Sequence, residues 1–150
     1  MSRTIDTKEY LDTVMSLLQE GQKNIPVTVS GVSMTPFLHP GDTVFLNLPQ
    51  RAYRKGDIVL FTRSDGRYVL HRIVRENEGS YLLLGDSQLT KEFVPAERIC
   101  AVVSAIRIGE KVYSPAHPYC LFFRTVWRWL APLRPQIGKI LNFIKHKKSR

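Results

Sequence analysis

Four residues in this chain have the types and setting that acyl-transfer chemistry needs: Ser33, His71, Asp86 and Glu92. Ser33 lies in "SGVSMTPFLHPGD" (30–42), between the strand-like "PVTVS" and "TVFLNL". A serine hydroxyl is a poor nucleophile until a base takes its proton and N–H donors hold the developing oxyanion. Gly31 permits a sharp approach to Ser33, and Pro36 and Pro40 keep the stretch from becoming a plain strand or helix. Taken alone, such a stretch reads most simply as a turn. His71 lies in "YVLHRIV", where Val69, His71 and Ile73 share one face of a strand. A histidine on an apolar face is commonly structural, yet burial would also keep it neutral at pH 7, as a general base requires. Asp86 follows a strand and a glycine in "LLLGDSQLTKE", where a carboxylate could orient a base or merely close a turn. Glu92, six residues on, is the weaker alternative acid. His39, His117 and His146 lie in a turn or in the tail and are less suited.

These residues need elements to hold them. Leu11, Val14, Met15 and Leu18 recur at helical spacing and predict a helix over 6–20, with Asp6 at its start and Gly21 at its end. Short apolar or alternating runs then predict strands at 27–30, 43–48, 57–62, 67–74, 80–84 and 100–108. Turn-forming groups separate them, and "RSDGR" between two runs predicts a hairpin. The expected fold is mainly β: a helix over 1–24, a β domain over 25–113 and a tail over 114–150.

The tail differs in character. The chain carries a net charge of +9, but all 13 of its acidic residues precede residue 111. Residues 111–150 hold nine Lys and Arg and no acid. Within "AHPYCLFFRTVWRWLAPLRPQIGKILNFIKHKKSR", Pro132 and Pro135 divide two helix-like pieces. Arg124 and Arg128 share a face of the first, and Ile137, Ile140, Leu141 and Ile144 form an apolar stripe on the second. Residues 119–150 could lie on an anionic membrane surface with Trp127 and Trp129 at headgroup level, or pack on the domain. Nucleic acid is not an expected partner, since the basic excess is off the β domain. No metal or other cofactor is called for. Cys100 and Cys120 are expected to be reduced thiols of a cytoplasmic protein.

Taken together and in order, "SGVSMTPFLHPGD", "KGDIVLF", "YVLHRIV" and "LLLGD" resemble the signal peptidase I superfamily, which also contains the self-cleaving SOS-response repressors. The resemblance covers about residues 27–106. It implies a fold of coiled β-sheet and endoproteolysis by a serine nucleophile, Ser33, whose N–H contributes to the oxyanion hole, with Ser30 the nearest further hydroxyl. It also implies a pocket for small side chains before the cut. His71 stands where the common bacterial enzymes have a lysine base, so the chain resembles the Ser–His, endoplasmic-reticulum-type subgroup. The residues after Asp86, "SQLTKE", depart from that subgroup's asparagine-rich continuation, leaving Asp86, Glu92 or a bare dyad open. The repressors' N-terminal helix-turn-helix and lysine base are not matched. Nor is the N-terminal membrane anchor of signal peptidases, so any membrane contact is expected to be peripheral, at the inner surface. The function implied is removal of a leader or signal segment from a peptide or protein precursor. The alternative is a catalytically inactive peptide-binding module of the same fold.

Overall fold

The computed structural model of the protein describes residues 7–127 and 129–148. Helix α1 spans Thr7–Gln19 and turns Leu11, Val14 and Leu18 onto the core, one stripe of an amphipathic helix. Gly21 ends it in a left-handed conformation, with the Gln22 N–H donating to the Leu17 carbonyl and the Gly21 N–H to that of Leu18. Asp6, the expected cap, lies outside the described residues.

Eight strands follow: β1 (Ile25–Thr28), β2 (Thr43–Asn47), β3 (Ile58–Thr62), β4 (Tyr68–Asn77), β5 (Ser80–Leu84), β6 (Glu92–Pro95), β7 (Ile99–Ile108) and β8 (Lys111–Tyr113). They form one antiparallel sheet in the order β1-β2-β7-β3-β4-β5-β6, with β8 on β7. The mainly β class is thus what the alternating runs indicate. "RSDGR" does form the β3–β4 hairpin, where the Arg63 N–H donates to the Arg67 carbonyl and Gly66 takes positive φ. β6 and β8 are additions to the expected strands.

The sheet has two apolar faces. Ile58, Leu60, Leu46, Ala101 and Val103 pack with α1 and with Met34, Phe37 and Leu38 of the Ser33 turn. Val59, Phe61, Ile73, Leu83, Val94 and Ile99 form a second cluster. β3 is therefore buried on both faces, which is why "IVLF" reads as an unbroken apolar run.

The chain ends in helices. α2 (Pro118–Phe122) starts at His117, whose Nδ1 accepts from the Tyr119 N–H, and it passes into a π-helical turn, Phe123–Trp127. Cys120, Phe123 and Trp127 are buried in the first cluster, so this half of the tail packs on the domain. A 3₁₀ turn (Ala131–Leu133) contains Pro132 and marks the break. Pro135 does not break anything: it is the second residue of helix α3 (Arg134–Lys148). Proline suits a helix's first turn, where its missing N–H would have no helical partner. Arg128 lies outside the described residues, as does the side chain of His146. Cys100 and Cys120 are not paired to each other. Among the described residues no helix is long and apolar enough to cross a membrane.

Candidate active site

Ser33 sits in the irregular turn between β1 and β2, anchored from below by Met34, Phe37 and Leu38, each at most 2% exposed. The turn is gripped from the other side by the residues that leave β5. The Ser87 N–H donates to the Ser33 carbonyl at 2.9 Å, and Ser87 Oγ donates to the Val32 carbonyl at 3.0 Å. β5 pairs with β4 as far as Leu84 opposite Arg72; at Gly85 the chain leaves the ladder, and the Ser33 turn comes in beside β4.

Gly85 is the contact point. A Cβ there would lie 2.6 Å from the Ser33 carbonyl oxygen, 2.9 Å from Gln88 Oε1 and 3.1 Å from His71 Nε2. Only glycine lets the serine turn and the histidine ring close over the same spot. Gly85 is thus a site residue that the sequence reading did not single out. Its signal was the glycine immediately after the apolar run "LLL".

His71 is 1% exposed and lies on the second apolar face, with the Phe61 ring centroid 5.6 Å away. Neither ring nitrogen has a hydrogen-bond partner among the described residues. The hydrogen bond of a fully aligned serine–histidine pair is therefore not made in this conformation. Burial pushes the imidazole pKa down from 6.5 to about 4; the Glu92 carboxylate opposes that shift and Arg63 adds to it. The ring is neutral at pH 7, the form that can accept a proton.

The two candidate acids part company here. Asp86 does not reach His71. Its carboxylate takes two bonds from Arg72, Nε to Oδ1 at 3.0 Å and Nη2 to Oδ2 at 2.8 Å, and both side chains are buried. The reason is strand alternation: His71 and Arg72 are consecutive in β4, so their side chains leave on opposite faces. Arg72 goes toward Phe37, its guanidinium 5.0 Å from the ring centroid, and Nη1 donates to the Gly56 carbonyl at 3.3 Å. Asp86 follows it there. In this structure Asp86 is thus bonded to Arg72 and not to His71, the ring it was expected to orient. Glu92, on β6, is the carboxylate whose charge His71 feels. It is held by Arg63, through Nε to Oε2 at 3.2 Å and through a second bond from Nη2 to Oε1. That bond holds the Glu92 pKa below the usual carboxylate range.

The tail also reaches the site. Trp127 Nε1 donates to the Asp86 carbonyl at 2.8 Å, and the Tyr119 hydroxyl donates to the Phe37 carbonyl at 2.9 Å. Phe123 packs on Phe37 with centroids 5.1 Å apart.

Beside Ser33 lies a cavity of about 220 Å³, lined by Val27–Gly31 on one side, Tyr68–Leu70 on the other, and Met34, Val44, Leu46 and Leu60 between. β1 is at the end of the sheet, and β5 pairs with β4 only from Arg72 onward. Each wall of the cavity therefore carries a strand edge that neither β2 nor β3 occupies. Such edges can take an extended peptide as an added strand. Ser30 is exposed on the same wall.

A family model described as Peptidase S24-like matches residues 2–106, which span α1, the Ser33 turn and the sheet as far as β7. No curated protein matches the sequence. The chain belongs to the peptidase S24-like family, and with it to the superfamily of signal peptidases and self-cleaving repressors.

Proposed function

We propose that this protein is a serine endopeptidase of signal-peptidase type that works by a Ser–His mechanism and removes a leader or signal segment from a peptide or protein precursor. The observation that carries the reading is His71: a buried, neutral imidazole, without a hydrogen-bond partner among the described residues, against the same glycine as Ser33. Buried polar atoms are paired in the great majority of cases, and an orphan asks for a reason. Acceptance of the Ser33 proton supplies one, because catalytic hydrogen bonds are often long or absent until substrate binds.

In this reading the substrate lies as an added strand in the cavity, its scissile carbonyl at Ser33. His71 Nε2 takes the hydroxyl proton as Oγ attacks the carbonyl carbon. The Ser33 N–H holds the oxyanion. The imidazolium then gives its proton to the leaving amine, and water releases the acyl group by the same route in reverse. In the same reading Glu92 stabilises the imidazolium through its charge, which already favours the protonated ring. The aliphatic lining favours an apolar side chain near the cut.

A second reading has its own observation. His71 is sealed from solvent and makes no bond to Ser33, as suits a peptide-binding module that has lost catalysis. Incubation of the purified full chain with a proteome-derived peptide library separates the two. The peptidase reading expects defined cuts that fall roughly 10⁴-fold or more in Ser33→Ala and in His71→Ala, with a smaller loss in Glu92→Gln. Retention of peptides without cutting, equal in wild type and Ser33→Ala, would establish the binding module.

A further inference from the structure

The tail has exposed side chains that the active site does not use. Phe122, Val126, Trp129 and Leu133 recur at helical spacing, and each is exposed, Trp129 at 83%. In α3, Ile137 packs against the core. The same stripe then continues through Ile140, Leu141 and Ile144, which are all more than half exposed, with Phe143 at 69%. The domain thus covers only the start of the stripe and leaves the rest to something else. The segment's own charge has one sign, with no acid anywhere in residues 111–150 and nine Lys and Arg.

We propose that the segment from Phe122 to Ile144 docks the protein on an anionic lipid surface. A second copy of the chain would bring the same cations against themselves, and a nucleic acid would leave the apolar side chains in water. A lipid interface satisfies both features: acyl chains take Ile140, Phe143 and Ile144, headgroups take the cations, and an indole such as Trp129 sits at the boundary. The contact is peripheral, since no described helix can span a bilayer. Docking is independent of any chemistry at Ser33.

The test is co-sedimentation of the full chain with phosphatidylcholine vesicles and with vesicles of phosphatidylcholine and phosphatidylglycerol in equal parts. Binding to the anionic vesicles is expected to exceed that to phosphatidylcholine by about tenfold or more and to weaken with salt. Trp129 emission should shift to the blue on binding, and the shift should vanish in Trp129→Phe. The triple change Ile140→Ser, Phe143→Ser, Ile144→Ser removes exposed side chains, so an unchanged melting temperature checks its fold. It is expected to lose about tenfold or more in vesicle binding. Three results would overturn the proposal: no sedimentation with anionic vesicles, equal binding by the triple variant, or binding abolished by polyglutamate with no emission shift. The last would identify a plain acidic-protein site.

Discussion

At the scale of single residues, His71 has the most unusual position. Its folded pKa of about 4 lies below the ordinary value of 6.5, so between these two pH values the unfolded chain binds a proton that the folded protein refuses. Stability from this group is therefore complete above about pH 6.5 and falls as pH drops toward 4, by roughly 3 kcal/mol across the window. Below pH 4 both states are protonated and the loss levels off. Urea midpoints measured from pH 4 to pH 7 should show this slope in the wild type. The difference curve against His71→Leu, which cannot titrate, should isolate it. A His71→Leu curve parallel to the wild type would mean that the ring is solvated in solution. Ser33 and His71 stood out in the sequence as candidates only through the ordered run of motifs, since a serine amid turn residues or a histidine in an apolar strand is by itself an ordinary local feature. Their meeting over Gly85 was not legible there, because it depends on where β5 leaves β4.

At the scale of elements, the Arg72–Asp86 pair ties β4 to the chain after β5 and supports the Ser33 turn through Phe37. Removing one partner strands the other charge away from water, which typically costs about 3–5 kcal/mol. Asp86→Ala should lower the unfolding free energy by that amount in urea titration. Arg72→Met combined with Asp86→Leu should recover much of it, since an apolar pair leaves no stranded charge. A loss below about 1 kcal/mol for Asp86→Ala would show an exposed pair of the ordinary surface kind. The sequence did not show that Asp86 meets Arg72, because a carboxylate after a glycine carries no mark of its partner. Only the register, Arg72 opposite Leu84, decides which β4 side chain it meets. The missed strands have similar causes. "EFVP" buries only Val94 and ends in proline, and "KVY" buries nothing fully, so neither shows the apolar or alternating run that marked the others.

At the scale of the whole molecule, the chain combines a charge-balanced body with a basic end, and the structure divides that end in two. α2 and the π-helical turn belong to the body: they cover Phe37 and reach the backbone next to Gly85 through Trp127. α3 packs on the core at Ile137 and leaves the rest of its apolar stripe exposed. Composition alone told of the basic aromatic segment but not where packing stops, because aromatic side chains serve a core and an interface equally well.

The central claim is that Ser33 cuts a precursor. Its most direct measurement compares peptide profiles of the native host expressing the wild-type protein with those of the same host expressing Ser33→Ala at equal, folded levels. The peptidase reading predicts a defined precursor that accumulates only with Ser33→Ala, together with loss of its two cleavage products. Identical profiles in the two strains would contradict it.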